Sequence, residues 1–166
     1  MKTQKNFVIS SRVARLAAYI IDVCVFGSLN FILVSLFKGI VQFGPFLLIL
    51  PFVYFWISTA LYGKSIGKKI FGLEVISNDN SKMTWSKAFL REVIGRVISW
   101  LIFGLGYVWI LFDEKRQGWH DKVAGTYVTQ TSPLEGGKKV LAYILVFTIP
   151  GLAIVAFVLA ILLVAN

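Results

Sequence analysis

Residues 13–37 read VARLAAYIIDVCVFGSLNFILVSLF, an apolar run with an aspartate, Asp22, close to its middle. A run of roughly 20 apolar residues is long enough to cross a bilayer as one helix. A carboxylate at the centre of such a helix costs about 2.5 to 3.5 kcal/mol on insertion scales, so it should face protein or water. Arg15 precedes Asp22 by seven residues, nearly two helical turns, and therefore lies on almost the same side of the helix. The stretch predicts a membrane helix that packs against other helices through a charged face.

The whole chain is too apolar for a soluble domain. Of its 166 residues, 57% are hydrophobic and 15% are charged, and the mean hydropathy is +0.77. Seventeen Lys and Arg against eight Asp and Glu give a net charge of +9. These basic residues flank the apolar runs, which indicates membrane topology and contact with anionic lipids and argues against a nucleic-acid partner. We therefore expect a multi-pass protein of the cell membrane.

Four apolar runs set the expected topology. We predict spans at 13–37 and 43–62, a third hydrophobic segment at 93–112 and a last span at 140–165. Basic flanks place the N-terminus and the loops that follow the second and third runs in the cytoplasm. Because Gly104 and Gly106 interrupt the third run, we expect it to break and re-enter near Gly104, which leaves the C-terminus outside. A full crossing would place the C-terminus inside.

The predicted fold class is an all-α polytopic membrane protein, a small bundle of three to four transmembrane segments with a small cytoplasmic β-hairpin. The sequence LEVIS at 73–77 alternates like a strand, NDNS is a turn signal, and KMTW at 82–85 is the candidate return strand. GTYVTQ at 125–130 is also strand-like and could pair with LEVIS if both loops share a side. We assign residues 1–130 to one membrane domain and 131–166 to a linker plus an additional transmembrane helix.

Three stretches together carry a family resemblance. They are RLAAYIID at 15–22, GKSIGKKIFGLEVIS at 63–77 and KRQGWHDKVAGTYV at 115–128. This combination is similar to the RDD family of small prokaryotic membrane proteins, which is named for one arginine and two aspartates. Arg15, Asp22 and Asp121 match those three positions, and the similarity covers roughly residues 10–130. The resemblance implies a polytopic inner-membrane protein and a loose association with transport, including proposals of sodium–proton exchange.

Asp22 has two alternative roles. Burial favours the neutral acid and a nearby arginine favours the carboxylate, so an acid between these influences could exchange a proton for a cation. Alternatively, Asp22 holds two helices together by pairing with a basic group such as Arg15 or Arg96 and never titrates.

Other charged residues extend this candidate site. Glu92 and Arg96 are spaced i,i+4 in the favourable order and can pair along one helix face. His120 and Asp121 are either a proton donor and cation entry point, or an interfacial side chain and a helix cap. Arg15 is expected to anchor the helix and to pair with Asp121 or with a lipid phosphate. The candidate charge network is therefore Arg15, Asp22, Glu92, Arg96, His120 and Asp121.

A basic turn follows the second apolar run. It carries Lys64, Lys68 and Lys69, which we predict to contact anionic lipid headgroups. The order GxxxxGK[ST] is absent from this turn, so no nucleotide cofactor is expected. One histidine and one cysteine do not make a zinc site, and no serine or cysteine is arranged as a nucleophile. We therefore expect no metal, no cofactor and no enzymatic activity.

Two functional hypotheses follow from these features. The first is a monovalent cation or proton transporter or exchanger that uses Asp22, and it is a homo-oligomer because three or four helices enclose little space. The second is a non-transporting accessory or scaffold protein, in which the buried charges lock the packing of the helices. An intramembrane enzyme ranks last because a catalytic constellation is missing.

Overall fold

Long apolar runs form helices, and the connections between them form a small sheet. The computed structural model describes residues 8–36, 44–79, 81, 83–148 and 151–152. In chain order the elements are β1 (Val8–Ile9), α1 (Arg12–Leu36), α2 (Gly44–Tyr62), α3 (Ile66–Ile70), β2 (Leu73–Ser77), α4 (Trp85–Leu101), α5 (Leu105–Leu111), α6 (Trp119–Ala124), β3 (Thr126–Gln130) and α7 (Gly136–Tyr143). A π-helical turn, Leu90–Ile94, lies inside α4, and a second one, Ile144–Thr148, extends α7.

Small residues allow α3 to approach α1 closely. Ala14, Ala17 and Ala18 are almost completely buried in the core beneath Phe71. A Cβ atom added at Gly67 would lie 2.0 Å from the carbonyl oxygen of Ala18, a distance that no side chain tolerates. The short helix α3 therefore packs backbone against backbone on α1, and this contact positions the first part of the candidate site.

The third apolar run is broken where its glycines lie. Helix α4 ends at Leu101 and α5 begins at Leu105, and the chain bends by 109° between the two helices. Phe103 and Gly104 form the turn with φ angles of 50° and 77°, in the left-handed region that favours glycine. Within the described ranges, no single helix meets the length and hydropathy expected of a membrane span, whereas this bent pair meets them in combination. Re-entry of the segment into a bilayer stays a prediction.

A three-stranded antiparallel sheet joins distant parts of the chain. Its order is β1, β3, β2, and Val75 of β2 lies opposite Val128 of β3. The predicted local hairpin with KMTW is wrong, whereas the other predicted pairing is confirmed, in which GTYVTQ supplies the partner strand of LEVIS. There are two physical reasons. Strand β3 pairs with all five residues of β2, and Thr84 of KMTW instead caps α4 by accepting a hydrogen bond from the Lys87 N–H at 3.2 Å.

The last predicted span lies mostly outside the described residues. Of 140–165, only 140–148 and 151–152 are described, and helix α7 already begins at Gly136. Ala142 of this helix is fully buried in the core that it shares with α1. The end residues 37 and 43 of the first two predicted spans also lie outside the described ranges, while α1 and α2 occupy the remainder of those spans.

Candidate functional site

Asp121 is the point at which three helices meet. Its Oδ1 accepts hydrogen bonds from Nε and Nη2 of Arg91 at 3.1 and 2.7 Å, and its Oδ2 is bonded by Nη2 of Arg15. The Gly118 N–H also donates to Oδ2, at 3.0 Å, so the same carboxylate caps α6. Asp121 is completely buried. A single carboxylate therefore ties α1, α4 and α6 together.

Arg15 holds the loop before α6 as well as Asp121. Its second terminal nitrogen, Nη1, donates to the carbonyl oxygen of Arg116, and its side chain is 9% exposed. Arg116 in turn donates from Nη1 to the carbonyl oxygen of Ser10 at 3.0 Å. Of the protein partners considered for Arg15, Asp22 and Asp121, the one that it bonds is Asp121. The two residues are 106 positions apart in the sequence, so no local pattern relates them.

Glu92 is the second buried carboxylate and is shared among several donors. Its Oε1 is bonded by Nη1 of Arg91 and accepts from the Thr59 hydroxyl at 2.8 Å. Its Oε2 accepts from Nε of Arg96 at 2.6 Å, which is the i,i+4 pair expected from the sequence. The ammonium of Lys68 lies 3.7 Å from Oε1. Glu92 therefore links α2, α3 and α4, and it is completely buried.

Arg91 joins the two carboxylates and was missed by the sequence analysis. It bonds Asp121 and Glu92 at once and is only 2% exposed. Arg91 and Glu92 are consecutive residues of the π-helical turn Leu90–Ile94, and both are buried there. Turns of this type are rare and frequently occur at functional sites. The available signal was the adjacent pair of opposite charges at the start of an apolar run.

Asp22 caps α3 from the side of α1. Its Oδ2 accepts from the Ser65 hydroxyl at 2.6 Å, and its Oδ1 accepts from the Gly67 N–H at 2.8 Å. The carboxylate is 2% exposed. Among the described contacts, Asp22 pairs with neither Arg15 nor Arg96, because Arg15 bonds Asp121 and Arg96 bonds Glu92. The ion pair predicted for Asp22 as a helix contact is therefore replaced by hydrogen bonds to α3 and its cap. The close approach at Gly67 is what presents the backbone donor to Asp22.

The three lysines of the basic turn have different surroundings. Lys68, predicted to contact headgroups, instead lies inside the protein with a side chain that is 12% exposed, and its Nζ has no hydrogen-bond acceptor among the described residues. Burial lowers the pKa of Lys68 to about 8, although Glu92 opposes this effect. Lys64 lies 3.4 Å from the carboxylate of Glu74, and Lys69 is exposed. Headgroup contact stays a prediction for Lys64 and Lys69.

His120 lies beside Asp121 as a neutral, buried side chain. Its Nε2 is 3.6 Å from Oδ2 of Asp121, and its ring is 5.3 Å from that of Tyr107. Burial lowers the pKa of His120 to about 3, against the opposing influence of Asp121. Burial alone would raise the pKa of Asp121, but the positive charges of Arg15 and Arg91 hold it well below its usual value. At neutral pH the site therefore contains a carboxylate and an uncharged imidazole.

A pocket of about 350 Å³ lies between α1, α2, α4 and α5. Asp22 and Arg96 both form part of its wall, together with aromatic and aliphatic side chains. Its volume lies in the range of small-molecule sites. Within the part of the chain that the structure describes, no group of three His, Cys, Asp or Glu residues could hold a metal ion.

A comparison with known families covers the part of the chain that carries these charges. The model of the RDD family matches residues 9–125, which include Arg15, Asp22, Glu92 and Asp121. The chain belongs to the RDD family. Its similarity to this family covers α1 to α6, so every charged side chain of the network described above lies within the matched region of this RDD protein.

Relatives of this RDD protein include proteins of Bacillus subtilis and Rickettsia prowazekii. It is 36% identical over 129 residues to the uncharacterized membrane protein YteJ of Bacillus subtilis, covering 69% of this chain and 76% of YteJ. It is 35% identical over 77 residues to the uncharacterized protein YckC of the same organism, of which it covers 51%. It is 28% identical over 80 residues to the uncharacterized protein RP437 of Rickettsia prowazekii, of which it covers 42%. No solved structure is significantly similar to the chain.

Proposed function

We propose that this RDD protein is an integral membrane protein of the cell membrane that serves as a non-transporting scaffold or accessory protein. The observation that carries the proposal is the state of its buried carboxylates. Asp22, Glu92 and Asp121 each accept at least two hydrogen bonds from fixed protein donors. Carboxylates that are bonded in this way hold helices in place and have little capacity left for a passing cation.

The surface of the helices supports a membrane location. Val23, Leu29 and Ile32 of α1 are 48%, 45% and 52% exposed, and α2 likewise exposes Ile49 and Leu61. Apolar surface of this extent is unfavourable in water and suits lipid. The relative YteJ is named a membrane protein. In the proposed topology the N-terminus is cytoplasmic, the bent pair α4–α5 re-enters the bilayer, and the C-terminus lies outside.

The cytoplasmic face is the proposed contact surface of the scaffold. The sheet and the basic turn would lie at this face, where exposed lysines such as Lys64 and Lys69 meet anionic headgroups. Apolar helix surface that the described residues leave uncovered is available to a second copy of the chain, so we include a homo-oligomer in the proposal. The charge network then fixes the angle between the membrane helices and this face.

A monovalent cation or proton exchanger is the second candidate function. The observation in its favour is that Asp22 belongs to the wall of the pocket between the helices, where an ion could reach it. Against it stands the pair of hydrogen bonds that Asp22 receives from Ser65 and Gly67. An exchanger would have to release at least one of these bonds in each cycle.

Flux measurements on purified protein distinguish the two functions. The protein is reconstituted in liposomes with an enclosed pH-sensitive dye and challenged with sodium, lithium and potassium pulses. The scaffold proposal predicts no response above protein-free liposomes, and it predicts that Asp22→Asn lowers thermal stability and accumulation. Glu74→Gln is the matched control, because the Glu74 side chain is 37% exposed and lies outside the network. A cation-dependent pH change that Asp22→Asn abolishes, while the protein still accumulates, would overturn the scaffold in favour of the exchanger.

A further inference from the structure

The pocket between the helices has a polar end and an apolar end. In the structure Lys68 and Arg91 join the charge network through its carboxylates. The network thus includes Arg15 of α1 and Arg91 of α4, and Thr59 of α2 is hydrogen-bonded to its Glu92. Because α2 runs antiparallel to α1 and α4, residue numbers increase with distance from the network on α1 and α4 and decrease on α2. The pocket wall extends in the same direction on each helix, from Tyr19 to Gly27 on α1, from Phe55 to Pro51 on α2 and from Arg96 to Trp100 on α4. One end of the pocket therefore lies next to the charge network, and the pocket extends from there along the three helices.

Side chains at the two ends differ in chemistry. Near the network the wall is formed by Tyr19, Asp22, Arg96 and Tyr107, and farther away by Gly27, Pro51, Phe52 and Trp100. Eight residues separate the first and last positions on α1, which corresponds to about 12 Å at the helical rise. A volume of about 350 Å³ holds roughly a dozen groups of the size of a water molecule. This space suits a small polar head and about the first ten carbons of one hydrocarbon chain, with the remainder of a longer chain beyond the end of the pocket.

The balance of charges at the polar end of the pocket indicates which charge the polar head of a ligand should carry. The network contains four cationic side chains, Arg15, Lys68, Arg91 and Arg96, and three carboxylates, Asp22, Glu92 and Asp121. One positive charge is thus left without an anion in a largely buried site, which a single negative charge would complement.

Arg96 is the cationic side chain that forms part of the pocket wall. It uses Nε and Nη2 on Glu92, while its guanidinium carries five N–H donors in total, and its side chain is 13% exposed. Its guanidinium carbon lies 3.9 Å from the ring centre of Phe55, which holds the group in place. Asp22 shares the wall, but both of its oxygens already accept hydrogen bonds from Ser65 and Gly67.

We propose that this pocket binds a single-chain amphiphile with one negative charge, a long-chain fatty acid, whose carboxylate bonds Arg96 and whose chain lies toward Gly27 and Trp100. A carboxylate matches the fork of a guanidinium and forms a charge-assisted hydrogen bond with it. The binding goes beyond the scaffold role and does not depend on whether the protein transports ions.

Quenching of tryptophan fluorescence tests this binding. Full-length protein in uncharged detergent is titrated with dibromostearate, and unbrominated stearate is added as competitor. Because the chain has five tryptophans, Trp100→Phe identifies the part of the signal that arises in the pocket. We expect saturable quenching that stearate reverses and that Trp100→Phe reduces.

Two pocket variants and one control separate binding from folding. Gly27 forms part of the pocket wall, and a Cβ added there meets no atom within 4 Å, so Gly27→Leu adds bulk at the wall and should abolish saturable quenching. Ser28→Leu adds the same bulk at an exposed neighbouring position and should leave it unchanged. Arg96→Gln should weaken binding about tenfold or more, because one charge-assisted hydrogen bond is lost. Quenching that persists in Gly27→Leu would overturn the proposal.

The choice of competitor tests the chemistry of the ligand. Stearyl alcohol and stearyltrimethylammonium should compete at least tenfold more weakly than stearate, because neither offers a negative charge to Arg96. Phosphatidylglycerol provides the comparison with an anionic phospholipid and should also compete more weakly, since the pocket holds one chain. Equal competition by the alcohol, preference for the cationic amphiphile, or tighter binding of phosphatidylglycerol would each refute a fatty-acid site.

Discussion

Replacing Asp121 by asparagine removes one negative charge from the centre of the network while preserving its shape. The asparagine oxygen can still accept the Gly118 N–H, so the cap of α6 is retained and the charge alone is lost. Arg15 and Arg91, which are 9% and 2% exposed in their side chains, then lose their shared carboxylate. Breaking a buried ion pair from one side destabilises a protein by about 3 to 5 kcal/mol.

The expected loss lies near the lower end of that range. Arg15 keeps the carbonyl oxygen of Arg116, and Arg91 keeps Glu92. We therefore expect Asp121→Asn to lower the free energy of unfolding by about 3 kcal/mol, which corresponds to a fall in Tm of roughly 6 to 12 °C for a chain of this size. Thermal melts of the purified protein in detergent, followed by tryptophan fluorescence, measure this shift.

A surface carboxylate provides the matched control. Asp79 pairs with Lys87 at 3.2 Å, but its side chain is 56% exposed, so Asp79→Asn should hardly change Tm. The double variant Arg15→Gln with Asp121→Asn should lose less stability than the sum of the two single variants, because both remove the same pair. Equal Tm shifts for Asp121→Asn and Asp79→Asn, or additive effects in the cycle, would show that the network does not hold the helices together.

Three further predictions concern neighbouring groups. Burial lowers the pKa of His120 from 6.5 to about 3, so the unfolded chain takes up a proton between pH 7 and 5 that the folded chain does not. Stability should therefore fall with decreasing pH, by about 2 kcal/mol at pH 5, and His120→Gln should remove this slope from melts recorded across the range. Lys68 has its pKa lowered to about 8, so the cost of its buried charge is present below pH 8 and disappears toward pH 10.5. Lys68→Met should then raise Tm more at pH 7 than at pH 9.5, and an equal rise at both would contradict the burial argument. Gly67→Ala places a Cβ 2.0 Å from the Ala18 carbonyl oxygen and should destabilise by about 1 to 3 kcal/mol, whereas Gly27→Ala, which meets nothing within 4 Å, should not lower Tm.

Local patterns in the sequence were sufficient for the helices and for some of the charges. Continuous apolar runs gave α1 and α2, because a helix of that length satisfies its own backbone hydrogen bonds. The glycine at Gly104 marked the break between α4 and α5, where the backbone adopts a positive φ. The spacing of Glu92 and Arg96 gave their pair, since residues four apart on a helix are neighbours.

Contacts between distant residues were obtained only in part in this way. The strand-like pattern of 125–130 offered β3 as a partner of β2 beside the segment directly after the turn, but the choice between the two depends on which segments the helices bring together. Arg91 looked like an ordinary basic flank, yet a π-helical turn buries it between two carboxylates.

The sequence by itself determined that this chain carries acids and bases beside apolar runs, and that it matches the RDD family over residues 9–125. Beyond the local pair of Glu92 and Arg96, only the tertiary structure decided which donor each buried acid meets. Arg15 lies close to Asp22 in sequence but bonds Asp121, while Asp22 accepts a backbone N–H from Gly67 of α3. The physical reason is that a buried charge takes the donors that packing places within hydrogen-bond distance, and packing is set by contacts such as the one between Gly67 and Ala18.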